Sequence, residues 1–130
     1  MPARFVARPL ACVALALALA GCLRDRDPYL RERHTVAGGK PKEGQTALRT
    51  YGCGSCHTIP GVRGAESLVG PPLTHWSRRK YIAGRIPSDA ENLARWVMDP
   101  QGVKPGTAMP ATGVSGADAH HIAAYLFTLE

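Results

Sequence analysis

Apolar residues downstream of residue 42 recur at helical spacing, and no stretch there alternates regularly enough to predict a β-strand. The first stripe, with members at i, i+1 and i+4, predicts a helix from about Lys42 through Tyr51. The last stripe predicts a helix that begins at Ser115 and runs to the chain end; it is formed by Ile122, Tyr125, Leu126 and Leu129. The pattern therefore predicts an all-α fold of short helices.

The best-marked helix lies between these two. Ser88-Asp89-Ala90-Glu91 has the sequence of a capping box. Leu93, Trp96 and Val97 follow at i, i+3 and i+4, and so predict one buried face. Asp99-Pro100 ends the helix, because the residue before a proline disfavours helical geometry.

The remaining stretch of the predicted domain, residues 43–130, is less regular. Residues 58–70 are Gly-rich, which predicts a loop. A short helix is predicted across residues 74–81, with Thr74 as its N-cap. Short helices in so small a domain bury little apolar surface, so a large apolar cofactor would have to complete the core.

The N-terminal stretch has a different composition. Two arginines within the first eight residues precede an apolar run from Leu10 to Ala20, so residues 1–21 are predicted to be a lipoprotein signal peptide. Leu19-Ala20-Gly21-Cys22 resembles the bacterial lipobox, which implies cleavage before Cys22 and lipidation of its sulfur. An uncleaved N-terminal anchor is the alternative. Either way, we expect an exported protein held on the periplasmic side of a membrane, inner or outer.

Residues 22–42 are predicted to be a flexible tether after the lipidated Cys22, because they are charged and contain few apolar residues. They contribute +3 to the formal net charge of +6, and residues 1–21 contribute a further +2. Residues 43–130 contribute only +1. The basicity therefore belongs to the leader and tether, and nucleic acid is not an expected partner.

Cys53-Gly54-Ser55-Cys56-His57 is the strongest chemical signal in the chain. Two thiols three positions apart, with a histidine after the second, have the spacing of covalent haem c attachment. Cys53 and Cys56 would form thioethers to the porphyrin, and His57 would ligate iron as the proximal ligand. A zinc site would need a second pair of ligands, and a thioredoxin-type redox pair would need a βαβ pattern. We therefore predict one covalent haem c.

Lys104-Pro105-Gly106-Thr107-Ala108-Met109-Pro110 is a Pro/Gly loop that can present a thioether to the distal haem face. We predict Met109 as the sixth iron ligand on this basis. The rival candidates are Met98, His75, His120 and His121. Met98 adjoins the stripe of its helix, and the last two histidines lie in a helix expected to pack on the first helix.

Cys53 to His57, the Gly70-Pro71 pair and the Met109 loop together resemble a class I cytochrome c. The resemblance implies a small class I fold around one haem, with the Pro71 carbonyl accepting a hydrogen bond from His57 Nδ1–H.

A longer stretch is more specific. Residues 91–101, continued through Lys104-Pro105-Gly106 to Met109-Pro110, are similar to the cytochrome c domain fused to subunit II of some bacterial haem–copper oxidases. That similarity implies that Trp96 lies beside the sulfur of the ligand methionine.

The resemblance implies an electron-transfer protein rather than an enzyme, with no small-molecule substrate. We expect it to carry single electrons between respiratory-chain components, towards a terminal haem–copper oxidase. A haem-bearing subunit of a quinol-oxidising or dehydrogenase complex is one alternative, and a haem sensor or peroxidase with a labile sixth ligand is another. Val62 or Ala108 is expected to contact the redox partner. The candidate propionate partners are Arg78, Arg79, Tyr81 and Arg85.

Overall fold

The computed structural model describes residues 32–130, so the predicted leader, the lipidation candidate Cys22 and tether residues 23–31 lie outside the described residues. The described elements follow in chain order: α1 (Pro41–Thr50), a 3₁₀ turn (Cys53–Ser55), a second 3₁₀ turn (Trp76–Arg78), β1 (Tyr81–Ile82), β2 (Ile86–Pro87), α2 (Ala90–Met98), α3 (Pro100–Val103) and α4 (Gly116–Leu126). Helix dominates, which confirms the all-α prediction. Within this range no helix combines the length and apolarity that crossing a bilayer requires.

Helices α1 and α4 cross in close contact at Gly44. A Cβ at this position would lie 1.9 Å from the carbonyl oxygen of His121, so only glycine lets the two backbones approach this closely. The expectation that the last helix packs on the first is therefore confirmed. Every other element adds at least one apolar side chain to the same core, whose fully buried members include Leu48, Ile59, Ile82, Leu93 and Ile122.

The N-terminus of α4 is tied to the end of α1 by Asp118. The Tyr51 hydroxyl and Ser115 Oγ both donate to Asp118 Oδ2, each at 2.8 Å. These two hydrogen bonds lower the pKa of the Asp118 carboxyl, with a smaller contribution from His121. The backbone N–H of Asp118 donates to Ser115 Oγ at 3.2 Å, so the predicted start of this helix at Ser115 is confirmed.

Two predicted boundaries need correction. The N-cap of α2 is Asp89, whose Oδ1 accepts from Asn92 N–H at 2.8 Å, and not Ser88. Ser88 is completely buried, because its N–H donates to the carbonyl of Lys80 and continues the hairpin inwards. Asp99 does end α2, but it also caps α3 by accepting from Gly102 N–H at 2.9 Å. Helix α4 ends at Leu126 rather than at the chain end.

The predicted helix over residues 74–81 is wrong. Only Trp76–Arg78 form a 3₁₀ turn, because His75 before it has a left-handed φ of 52° and cannot continue a helix. Thr74 therefore caps nothing. Strands β1 and β2 then pair antiparallel, with Ile82 opposite Ile86, so the expectation of no strand fails at this one two-residue ladder.

The predicted tether is partly folded. Residues 32–40, which we call the strap, belong to the same compact unit as the rest of the described chain. Val36 packs against the core, and the backbone N–H of Lys40 donates to His121 Nδ1 at 3.1 Å. The composition of residues 22–42 predicted disorder, but one apolar side chain and two glycines suffice to lay the strap along α4.

Candidate haem site

The haem-attachment motif forms the turn that ends α1. Gly52 takes a left-handed φ of 70°, and the 3₁₀ turn Cys53–Ser55 follows it directly. Ser55 Oγ closes this turn by donating to the carbonyl of Gly52 at 2.7 Å. The backbone N–H groups of Cys56 and His57 both donate to the carbonyl of Cys53, at 3.3 and 3.1 Å. The turn therefore holds both thiols and the imidazole in one short, hydrogen-bonded segment.

Both cysteines are partly exposed, so a haem can reach their sulfur atoms. Burial raises the pKa of the Cys53 thiol, and Cys56 adds a smaller contribution in the same direction. Among residues 32–130, no three His, Cys, Asp or Glu side chains come together as a metal cluster. Zinc coordination by this pair would thus lack its other ligands.

His57 is held from two sides by the returning loop. Its Nδ1 lies 2.8 Å from the carbonyl oxygen of Pro71, and because a carbonyl only accepts, Nδ1 must carry the proton. Nε2 is then the unprotonated nitrogen that can ligate a metal. A Cβ on Gly70 would lie 2.5 Å from His57 Cε1, so the ring fills the space that a side chain would occupy. The contact implied by the resemblance is present in the structure.

The Met109 loop is organised by Gln101 on α3, whose side chain sequence reasoning did not single out. Its Nε2 donates to the carbonyl of Thr107 at 2.8 Å and to that of Met109 at 3.3 Å. Its Oε1 accepts from the backbone N–H of Gly106 at 3.0 Å. One side chain thus fixes the path of the loop at three points. Met109 itself is half-buried against the core.

The rival ligands have other contacts. The Sδ atom of Met98, the last residue of α2, is the nearest atom to a Cβ built at Gly116, at 3.8 Å, so this side chain packs against the start of α4. His120 Nδ1 lies 2.7 Å from the carbonyl oxygen of Gly116, and His121 Nδ1 accepts from the strap. His75 is exposed. The site assignment of Met109 with His57 stays a prediction.

Two tryptophans are buried in the core of the domain. Trp96 is one of them, on α2, and its position beside the ligand sulfur stays a prediction. Trp76 is also buried, and its indole Nε1–H has no hydrogen-bond partner in the described structure. A buried donor without a partner is rare in a complete native fold, so the site fits a further group that carries acceptors. The haem-ligand set of imidazole, thioether and two thiols fits the same conclusion.

The propionate candidates divide by exposure. Arg78, Tyr81 and Arg85 are exposed, whereas Arg79 is half-buried. The Arg79 guanidinium carbon lies 4.6 Å from the centroid of the Trp76 ring, and Nη2 donates to the carbonyl of Pro72. Burial lowers the pKa of Arg79 from its usual value.

The expected apolar contact surface is partly wrong. Val62 is buried. Its backbone N–H donates to the carbonyl of Ile59, and its carbonyl accepts from the backbone N–H of Ala65. Ala108 is exposed, as expected. The large exposed apolar side chains beside the site are Leu68 and Val69, at 77% and 83% exposure. They directly precede the Gly70-Pro71 pair that holds His57, and only their position in a Gly-rich loop could have suggested their exposure.

The sequence profile of the family described as Cytochrome c matches residues 41–130. The chain belongs to the cytochrome c family. As a class I cytochrome c it binds one covalent haem c, and Cys53 and Cys56 stand at the spacing this requires. No solved structure matches this chain.

Curated relatives of this cytochrome are oxidase subunits. It is 35% identical over 89 residues to cytochrome c oxidase subunit 2 of Alkalihalophilus pseudofirmus, covering 68% of this chain and 25% of the relative. It is 30% identical over 95 residues to the same subunit of Bacillus subtilis, covering 72% and 27%. The match in Bacillus sp. (strain PS3) is 37% over 73 residues, covering 55% and 20%. The chain thus spans about a quarter of its relatives, and the predicted resemblance is confirmed.

Removing the Gln101 side chain should loosen the Met109 loop of this cytochrome. We expect Gln101→Ala to leave haem attached but to let carbon monoxide bind the ferrous protein about tenfold faster, since loss of these hydrogen bonds costs about 1 kcal/mol or more. Flash photolysis measures the rate. Gln45→Ala is the matched control, because Gln45 Nε2 donates to the carbonyl of Gly61 in a different loop. Equal rates in the two variants would contradict the role of Gln101.

Proposed function

We propose that this cytochrome carries single electrons between respiratory-chain components, towards a terminal haem–copper oxidase. The observation that carries the proposal is the pairing of a clamped His57 with a Met109 loop fixed by Gln101 at three backbone points. Two protein ligands would leave iron no open position for a substrate. The names of the curated relatives support the oxidase as partner.

Bound haem supplies a one-electron ferric/ferrous couple, and thioether ligation raises its potential. This chain's own residues keep the ligands in place. Pro71 holds the proton on His57 Nδ1 and fixes the orientation of the ring. Gly70 leaves room for that ring, and the buried Trp96 would exclude water from the thioether side. A site that changes little between its two charge states is suited to electron transfer rather than to bond chemistry.

We further propose that lipid on Cys22 holds the protein at the exported face of a membrane. The lipobox-like end of the leader supports an anchor of this kind. With residues 43–130 near neutrality, long-range steering by net charge is weak. Leu68 and Val69, exposed beside the His57 loop, supply apolar contact area instead. Confinement to the membrane then raises the effective concentration of the partner.

The experiment compares the lipidated protein with Cys22→Ser. Mass spectrometry should find diacylglycerol on an N-terminal Cys22 in the first and none in the second. Stopped-flow oxidation by a purified haem–copper oxidase in vesicles should be nearly insensitive to salt for the lipidated form, and slower for the soluble form. A mature terminus at another residue would contradict the anchor. Rates that fall by orders of magnitude as the Debye length shortens from about 30 to 10 Å would contradict weak steering.

A further inference from the structure

The strap is held on the fold by a small set of separate contacts. At one end, Arg33 Nη2 donates to the carbonyl of Ser88 at 3.0 Å. In the middle, Val36 packs against the core. Near the other end, a Cβ on Gly39 would lie 2.8 Å from Ala124 Cβ, so the strap backbone touches α4 directly. Few of its groups are buried, so the strap can open locally while the core stays folded.

Two histidines take part in these contacts, and one of them does so through an unprotonated ring nitrogen. The ring of His34 stacks on Phe127 with centroids 4.2 Å apart and planes 16° apart. His121 Nδ1 accepts the backbone N–H of Lys40 at 3.1 Å, which a protonated Nδ1 cannot do. His34 lies on the strap and His121 lies on α4, so each side of the docked interface contributes one histidine.

The neighbouring charges act in both directions. The charged neighbours of His34 in sequence are Glu32 and Arg33 on the strap, and Glu130 follows Phe127 by three residues. Burial, and then Arg33, lower the pKa of His34. Because the pKa of His34 is lower in the docked state, docking is complete above about pH 6.5 and weakens as the pH falls below that value.

Around His121 the charged groups are Asp118 and His120 on α4, with Lys40, Lys42 and Glu43 at the start of α1. The Lys40 ammonium lies 3.5 Å from Glu43 Oε1, and His120 Nε2 lies 3.7 Å from Glu91. The Asp118 carboxylate is already hydrogen-bonded to Tyr51 and Ser115. It therefore offers no replacement acceptor for the backbone N–H of Lys40.

We propose that the strap is a pH-released segment that sets how much chain separates Cys22 from the folded domain. It lies docked while His34 and His121 are neutral, and it detaches when they are protonated. With the strap docked, the ten Cα–Cα steps from Cys22 to Glu32 can span at most about 35 Å; release adds the nine residues of the strap and about 30 Å of reach. This consequence rests on the proposed lipid anchor, whereas the release itself does not.

Hydrogen exchange of the full-length, haem-loaded protein tests the release. The amides of Gly39 and Lys40 report docking, and that of Leu48 in α1 reports the core. After correction for the intrinsic pH dependence of exchange, we expect the two strap amides to lose about tenfold protection between about pH 7.5 and 5.5. This is the change in the neutral fraction of one histidine whose pKa is near 6.5 when the strap is undocked. The protection of Leu48 should not change.

Matched variants separate protonation from general loosening. In His34→Phe combined with His121→Gln, stacking and an acceptor are kept without a titrating group, so strap protection should no longer depend on pH. His120→Gln removes a histidine that contacts Gly116 and not the strap, so it should keep the tenfold loss. Unchanged protection in the wild type, the same loss in the double variant, or an equal loss at Leu48 would overturn the proposal. An unlipidated N-terminus would remove only the consequence for reach.

Discussion

Met109→Ala should leave haem attached through Cys53 and Cys56, but lower the reduction potential by about 0.1 V or more, within the roughly 0.8 V that axial ligation spans. Loss of the thioether removes the ligand that favours ferrous iron and opens a coordination position. The sulfur-to-iron band in the near-infrared spectrum of the ferric protein should disappear, and carbon monoxide should bind the ferrous form readily. Redox titration and absorption spectroscopy measure all three changes.

Met98→Ala is the control for this variant, since the Met98 side chain packs against the start of α4 and does not belong to the loop held by Gln101. It should keep the near-infrared band and the potential of the wild type. If Met98→Ala loses the band and Met109→Ala keeps it, the two assignments must be exchanged. A band that survives in both variants would mean that neither methionine ligates iron.

Gly44→Ala should destabilise the folded domain by about 3 kcal/mol, at the upper end of typical overpacking effects. The added Cβ would lie 1.9 Å from the carbonyl oxygen of His121 and 2.9 Å from the backbone nitrogen of Ile122. Backbone atoms at a helix crossing cannot move aside singly, so α1 and α4 must separate. Denaturant unfolding of the haem-loaded variant gives the free energy of unfolding.

Gly116→Ala is the matched control, because Gly116 is also helical and its Cβ would make only an ordinary contact, at 3.8 Å, with Met98 Sδ. We expect a free energy of unfolding equal to that of the wild type, or higher by up to about 1 kcal/mol, since alanine favours helix over glycine. Similar losses in both variants would show that helical glycine itself, and not the crossing at Gly44, determines the effect.

Elements with a strong local signal were predictable from the sequence. The stripe of Leu93, Trp96 and Val97 gave α2, and Ser115 with Asp118 gave the start of α4. The attachment motif needs no tertiary information either, because its five residues are contiguous. These features are local in sequence, which is why spacing alone identifies them.

Features set by distant contacts were not predictable. His75 and Ala83 take left-handed φ values, so a 3₁₀ turn and a hairpin form where the sequence predicted a helix. Gln101 looks like an ordinary helical glutamine until the loop carbonyls that it binds are placed beside it. The strap has the composition of a disordered segment. Its order comes from contacts with α4, such as the one between Lys40 and His121, which are 81 residues apart in the sequence. Tertiary contacts override local preference in each case.

The most direct test of electron carriage is the oxidation of the purified ferrous protein, followed by its absorbance, in oxygenated buffer with and without a haem–copper oxidase. Two axial protein ligands should keep the ferrous form stable in oxygen, and also in peroxide, until the oxidase is added. Oxidation should then be rapid and proportional to oxidase concentration. Rapid oxidation by oxygen or peroxide alone, with no acceleration by oxidase, would contradict the electron-carrier function and indicate an open iron site.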